Sequence, residues 1–412
     1  MTLQIEKSPI VGSLREPITP EGRDLLDIVT THLPAIGAVA AENDRQGTFP
    51  AAVFEGLRKD GVMGGTVPTE FGGFGVGCMH DVALVLMKVA EADASTALAL
   101  HMQLSRGLTL AYEWRRGSSV ARSLAERVLR KMGTEGAVVC TGVKDAPKGG
   151  IVTTLLPAEG GGWTLSGRKT LVSLAPIATD FAIYARAHVP DGPPRYALAV
   201  LPRQSPGLTV LDNWDGLGMR ASGTVDIVFD NCPIAPEDVL LREVAGERNI
   251  AILAGQTVSS IAMLGIYTGV AQAARDLAVG QLKRRGKVTS GAVRTLVAEM
   301  DARLFTLRSS VAGALAVADA LAYDEVTDPA ERGLQMMTPF QCAKLMVNRL
   351  APAIVSDCLT VVGGASYSGS NPLSRLYRDV RAGGFMQPYT YPDAVDYLSG
   401  QVFGPLDEGQ QG

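Results

Sequence analysis

A change of period constrains this chain more than any other feature. Through the first third, apolar residues recur at helical spacing. Near Gly136 that period stops, and at about Ile250 it returns and continues to the C-terminus. Between the two points lie short runs of β-branched and apolar residues, Ala137 to Thr141, Ile151 to Leu155, Trp163 to Leu165, Thr170 to Leu174, Asp180 to Arg186, Tyr196 to Leu201 and Thr224 to Phe229. Gly, Pro and Asp punctuate them, which predicts a compact antiparallel β domain. A chain of 412 residues exceeds what one hydrophobic core usually serves. The expected architecture is therefore α+β in three parts: an N-terminal α-helical domain over 1–135, a middle antiparallel β domain over 136–245 and a C-terminal four-helix bundle over 246–412.

Within the helical parts, the apolar stripe Leu25, Ile28, Val29, Leu33 and Ile36 predicts a helix over Glu21 to Asp44. A second helix is expected over Ala51 to Lys59. A long one, apolar on every side and so buried, is expected over Asp81 to Tyr112. Long amphipathic helices are expected over Thr257 to Arg284, Ser290 to Tyr323 and Thr338 to Val362.

Several functional classes are excluded on simple grounds. Net charge is −4 and no basic block occurs, so nucleic acid is not an expected partner. Met1 to Pro9 lacks a charged stretch followed by an apolar one, no apolar run approaches bilayer length, and no membrane partner is expected. The five cysteines are scattered without C-x-x-C spacing, which predicts free thiols and a cytoplasmic location. Gly72 to Gly77 is glycine-rich but is not G-x-G-x-x-G and does not follow a strand, so a dinucleotide fold is not expected. Neither G-x-x-x-x-G-K-[ST] nor G-x-S-x-G occurs. The histidines, His32, His80, His101 and His188, lack ligand spacing, so no metal site is expected, and His101 within an apolar helix reads as structural.

The remaining motifs form a series. Val67-Pro-Thr-Glu-Phe-Gly-Gly-Phe-Gly, Ala94-Ser-Thr-Ala, Trp163-Thr-Leu-Ser-Gly-Arg-Lys-Thr-Leu-Val-Ser, Gly216-Leu-Gly-Met-Arg-Ala-Ser-Gly-Thr, Val228-Phe-Asp-Asn-Cys-Pro, Val362-Gly-Gly-Ala-Ser-Tyr and Arg375-Leu-Tyr-Arg-Asp follow one another across almost the whole chain. In this order and in an α–β–α layout they resemble the acyl-CoA dehydrogenase superfamily. The resemblance implies a flavin, FAD or FMN, on the middle domain. It places Ser173 as a hydroxyl donor at the ring, with the backbone of Leu171 and Val172 beside it and Trp163 on the same signature strand. A strand serine capping a backbone group is the other reading of Ser173. The resemblance also puts Arg285, Gly363 and Gly364 near the diphosphate of a neighbouring subunit's flavin. Arg285 reads equally as a solvated helix-end charge, and the glycines as a helix cap. A homotetramer is implied, with the C-terminal bundle at its centre, and Arg378-Asp379 reads as a structural ion pair or helix cap.

Departures from the family pattern bear on the chemistry. The dehydrogenases use a carboxylate base, which burial can tune towards working pH. In many members it lies eight residues after the Arg-Asp aspartate, where this chain has Gln387, and in others on an earlier helix, where it has Ser259 or Ser260. Asp393 and Asp396 fall on a later segment. Gly286-Lys-Val-Thr-Ser-Gly is shorter than the corresponding family stretch, and in Thr141-Gly-Val-Lys-Asp, Val143 replaces a threonine. Asp212-Asn-Trp-Asp-Gly-Leu-Gly-Met-Arg-Ala-Ser-Gly and Ser173-Leu-Ala-Pro-Ile-Ala-Thr-Asp are similar to the monooxygenase branch, nearest its amino-sugar N-oxygenases, the nitrososynthases. That branch uses O2 and reduced flavin from a separate reductase. Met386 stands about where its phenol hydroxylases have a histidine. The resemblance makes Ser173 and Gln387 the candidate catalytic positions, and Leu104, Met263, Phe385, Met386 and Gln387 the candidate substrate contacts. Two other readings stay open: an acyl-CoA or acyl-carrier-protein dehydrogenase with a displaced base, and a flavin-binding protein without catalysis.

Overall fold

A computed structural model describes residues 13–145, 152–247, 249–285 and 291–404. Five helices form the N-terminal domain: α1 (Pro20–Gln46), α2 (Ala51–Lys59), α3 (Met79–Ala92), α4 (Ala94–Arg116) and α5 (Ser119–Thr134). α1 begins where Thr19 accepts a hydrogen bond from the Gly22 amide ahead of Pro20, and ends at Gly47, whose φ of 68° suits glycine. The single helix expected over Asp81 to Tyr112 is two. Asp93 is extended, and its carboxylate accepts from the Thr96 amide at 2.8 Å, so the cap starts a new helix in an otherwise continuous apolar pattern. α5 has no counterpart among the expected helices.

The middle domain is one eight-stranded sheet: β1 (Val139–Gly142), β2 (Thr154–Pro157), β3 (Trp163–Val172), β4 (Asp180–Ala187), β5 (Arg195–Pro202), β6 (Leu208–Val210), β7 (Val225–Ile234) and β8 (Val239–Val244). The strand order is β6-β7-β3-β2-β4-β5-β8, with β1 also on β4. The sheet is mixed rather than purely antiparallel. β1 and β2 both run parallel to β4, at Val139 to Gly142 and at Thr154 to Leu155, as two parts of one interrupted strand. Alternation of side chains predicts a strand but not its direction, so this pairing is invisible in the sequence. The expected runs Trp163 to Leu165 and Thr170 to Leu174 belong to one bulged strand, β3. β6 and β8 were not expected. Lys169 and Asp145 form a wholly buried ion pair at 2.9 Å on the β2 side of β3.

The C-terminal bundle comprises α6 (Leu253–Ser260), α7 (Leu264–Arg284), α8 (Gly291–Leu321) and α9 (Pro329–Val362), with α10 (Pro372–Asp379) and α11 (Tyr391–Phe403) packed against α9. A 3-10 turn, Ile261–Met263, splits the expected Thr257 to Arg284 helix. α9 starts nine residues before the expected Thr338, because Asp328 caps it and Pro329 fits its first turn. The segment 286–290 lies outside the described residues. One apolar core runs through all three domains. Among the described residues, four helical stretches are long and apolar enough to cross a membrane by length and composition, Pro20–Gln46, Ile250–Arg284, Gly291–Leu321 and Pro329–Val362, contrary to the expectation from uninterrupted runs. Their mean hydropathy is high despite interspersed charges, and α7, α8 and α9 pack on one another.

Two contacts between domains fix the arrangement. α7 lies directly on α3, since a Cβ on Gly265 would stand 2.0 Å from the Ala83 carbonyl oxygen. At the end of α10, Arg378 and Asp379 do not pair with each other. The Arg378 guanidinium donates to Asp44 of α1 at 2.5 and 3.0 Å and to the Leu217 carbonyl at 3.1 Å. Asp379, wholly buried, accepts from the Met219 amide at 2.7 Å. The neighbouring Arg375 pairs with Asp93.

Two predictions follow from these contacts. Gly265→Ala should destabilise the protein by roughly 1–3 kcal/mol in urea unfolding, whereas Gly37→Ala, whose Cβ meets nothing within 4 Å, should be neutral or stabilising. Burial, followed by the charges of Asp93 and Asp44, pushes the Asp379 carboxyl up to about 7, against the pull of the Met219 amide and Arg375. The folded state then keeps a proton that the unfolded chain releases near pH 4. Stability falls as pH rises between those values, and the loss persists above pH 7. Asp379→Asn should therefore gain stability over the parent protein, with a larger gain at pH 8 than at pH 5, on the order of 4 kcal/mol at most.

Candidate active site

The end of β3 is where a ring could lie. Leu171 and Leu174 have φ of 59° and 67°, left-handed values that bend the chain sharply out of the strand. The bend leaves the Leu171 side chain 51% exposed. Beside it, Val143 is 42% exposed, because the Thr170 amide donates to Lys144 and the Lys169 ammonium to the Val143 carbonyl. Two large apolar side chains held open together form a platform suited to a flat aromatic group.

Ser173 adjoins this platform and is nearly buried. Its hydroxyl meets that of Thr224 at 2.7 Å, which meets that of Ser222 at 2.6 Å, while the Leu174 amide donates to the Ser222 carbonyl. Three O–H groups share two O···O contacts, so one proton remains to be donated elsewhere. That spare donor fits a flavin's acceptor edge. Val172 is fully buried and can offer only its backbone.

Trp163 does not join this group. β3 carries it to the other end of ten residues, about 30 Å away along an extended strand. No single ring touches both ends, so the tryptophan belongs to the strand's packing against Ile234.

Arg285 ends α7 and donates to the Val362 carbonyl at 3.2 Å, next to Gly363, whose φ is 76°. A cavity of about 380 Å³ opens there, lined by Gln281, Arg284, Arg285, Ala365, Ser370 and Asn371. Both glycines face open space. The structure thus brings Arg285 and Gly363-Gly364 together. They lie about 27 Å along α7 from Tyr267.

The substrate-side candidates divide. Leu104 and Met263 are in the core, and the Leu104 carbonyl accepts from the Thr66 hydroxyl. Phe385 and Gln387 are exposed and Met386 is half-buried. Lys344, itself buried, donates to the carbonyls of Met386, Pro388 and Tyr389 at 2.5, 2.8 and 2.6 Å. Ser259 donates to the Gln256 carbonyl and contacts Ser260. Asp393 accepts from the Thr390 amide and hydroxyl, so it caps α11 and is not poised as a base.

Sequence reasoning missed Arg106. This residue on α4 is 5% exposed, with Nε donating to the Thr141 hydroxyl at 3.1 Å and Nη1 buried without a partner. Glu113 is engaged by Arg242 at 2.7 Å. Burial, above all, pulls the Arg106 pKa down. Thr141 and Val143 share a face of β1 and the residues following it, so this cation lies beside the platform. Its signal was an arginine in the middle of an apolar helix. His101 on the same helix has both ring nitrogens buried without partners, and burial pushes it down to about 4, so it stays neutral.

Known proteins match this chain over almost its whole length. The acyl-CoA dehydrogenase N-terminal, middle and C-terminal domain families match residues 27–114, 145–232 and 252–387. The L-evernosamine nitrososynthase of Micromonospora sp. is 57% identical over 399 residues, 97% of this chain and 94% of that protein. The amino sugar nitrososynthase DnmZ of Streptomyces peucetius is 57% identical over 393 residues, 95% and 96% of the two chains. The crystal structure of KijD3 in complex with FMN and dTDP-3-amino-2,3,6-trideoxy-4-keto-3-methyl-D-glucose superposes with a TM-score of 0.93 at 61% identity, covering 97% of this chain and 98% of that one. The chain belongs to the acyl-CoA dehydrogenase family, in its branch of flavin-dependent nitrososynthases.

Proposed function

We propose that this protein N-oxygenates the amine of a nucleotide-linked amino sugar, using O2 and a reduced flavin delivered by a separate reductase. The observation that carries the proposal is the replacement of the dehydrogenase base. Gln387, Ser259 and Ser260 fill the positions where the resemblance to the dehydrogenases implies a carboxylate, and none of them can remove an α-proton at neutral pH. An unprotonated amine needs no such removal, since its nitrogen lone pair is already the nucleophile. The names of the similar nitrososynthases and the amino sugar bound to KijD3 support the same substrate class.

When bound, the reduced flavin supplies two electrons and two protons, so that amine and O2 give hydroxylamine and water, and a second such cycle takes the hydroxylamine to the nitroso compound with two waters. The protein's own residues bind and shield. Ser173 donates its spare proton to the ring edge, and Leu171 and Val143 keep water from one face. Arg106 provides positive charge beside that platform for an anionic ligand. Phe385, Met386 and Gln387 lie on the segment expected to cover the substrate. An acyl-CoA dehydrogenase would need a carboxylate brought in from elsewhere, and Asp393 is engaged in its cap. A homotetramer fits the C-terminal helices, because only 8 of the 31 residues of α8 are buried within the chain and Phe305 stands 63% exposed. Five free thiols fit action in the reducing cytoplasm.

With FMN, a flavin reductase, NADPH and 18O2, the protein should convert a dTDP-linked amino sugar to a product carrying 18O on nitrogen, detected by mass spectrometry. Bleaching of bound flavin by acyl-CoA under anaerobic conditions would instead establish the dehydrogenase reading. Ser173→Ala should weaken FMN binding about tenfold, the worth of one hydrogen bond to the ring, as read by quenching of flavin fluorescence, and should raise hydrogen peroxide release per turnover.

A further inference from the structure

The junction at the end of α10 connects to the platform through an unbroken set of hydrogen bonds. Asp379 accepts from the Met219 amide at 2.7 Å. The Met219 carbonyl accepts from the Ser222 amide and from the Trp214 indole at 3.1 and 3.0 Å. The Ser222 carbonyl accepts from Leu174, and its hydroxyl reaches Ser173 through Thr224. The turn so held is not relaxed. Met219 has a φ of 52°, left-handed for a residue with a side chain. Gly218 lies flat on α10, where a Cβ would stand 2.6 Å from the Arg378 carbonyl.

Asp379 is not needed to hold the domains by charge. Arg378 with Asp44, and Arg375 with Asp93, already do that. The Asp379 Oδ2 is buried without a partner, as is the Tyr267 hydroxyl, to which Asp379 couples electrostatically. A carboxyl half unsatisfied in the core is unfavourable for folding, and the one bond it makes points at the turn beneath the platform.

We propose that Asp379 is a positioning residue for the flavin: it fixes the Gly218-Met219 turn, and through Ser222 and Thr224 it sets where the Ser173 hydroxyl points. The proposal rests on the reading of Ser173 as a flavin ligand, and the test separates the two. FMN affinity of the full-length protein is measured by fluorescence quenching, and the environment of saturating FMN by visible circular dichroism. Asp379→Ala should weaken FMN about five- to tenfold, up to the loss expected of Ser173→Ala, and alter the visible band. Asp379→Asn, whose amide oxygen can still accept from Met219, should stay within threefold of the parent protein. Leu376→Ala, a cavity on the same helix at a residue 2% exposed, provides the structural control. It should lower unfolding stability yet leave FMN affinity within threefold and the band unchanged. Gly218→Ala, which pushes the turn off α10 from the other side, should reproduce Asp379→Ala. Should Leu376→Ala weaken FMN as much as Asp379→Ala, or Asp379→Asn fare no better than Asp379→Ala, the positioning role is overturned. Should Ser173→Ala leave the affinity unchanged, the reading of Ser173 falls, and the proposal falls with it.

Discussion

The bond from the Met219 amide to Asp379, flanked by Arg378 on Asp44, is the constraint on which the rest depends. Together the two contacts join residues 160 and 334 positions apart in the chain and tie all three domains at one point. The apolar core that runs through these domains is nondirectional. Such a core sets how much surface is buried, but it cannot fix a turn in a left-handed conformation. A buried, directional bond can, because the alternatives leave a polar group without a partner. The site on the β domain is therefore built jointly. The strand supplies the platform, and the helical domains decide how the neighbouring turn stands against it.

The same logic accounts for the buried charges near the platform. Lys169 and Asp145 are fully buried, paired with each other, and bonded to local backbone and hydroxyl groups. The pair pins the Val143 segment against β3 and keeps its side chain outward. Arg106 differs, since its acceptors, the hydroxyls of Thr141 and Tyr184, are neutral and one nitrogen is left over. A satisfied pair rigidifies, whereas an unsatisfied cation remains available to a ligand's charge. The region combines both, a stiff apolar wall and a spare positive charge.

How much of this was legible in the sequence follows from what each signal encodes. The switch of period near Gly136 and back near Ile250 gave the three domains, because burial of one face imposes that period locally. The cap at Asp93 was also local, yet the apolar pattern on both sides masked it. The parallel pairing of β1 and β2 with β4 was not legible, since alternation is the same in either direction. At the candidate site, Ser173 was proposed from its motif, but the hydroxyls linked to it, Thr224 and Ser222, come from a turn some fifty residues on. Trp163 was grouped with Ser173 because both lie in one motif, and only the length of the strand separates them. Arg378-Asp379 looked like a pair because the residues are adjacent. In three dimensions they serve different partners, since neighbouring residues near a helix end project in different directions.

The segment that carries Gln387 shows how a change of chemistry leaves this fold intact. Lys344 grips it by three backbone carbonyls, from Met386, Pro388 and Tyr389. Burial lowers the lysine to about 8, and three carbonyl acceptors favour its charged form by hydrogen bonding. The Gln387 side chain is exposed and takes no part in this grip. The position of the segment is thus set by the backbone and its chemistry by the side chain. A carboxylate or an amide at 387 is equally compatible with the grip. The fold therefore places no demand for a base at this position, and a change from carboxylate to amide there alters the chemistry on offer without disturbing the backbone that holds the segment.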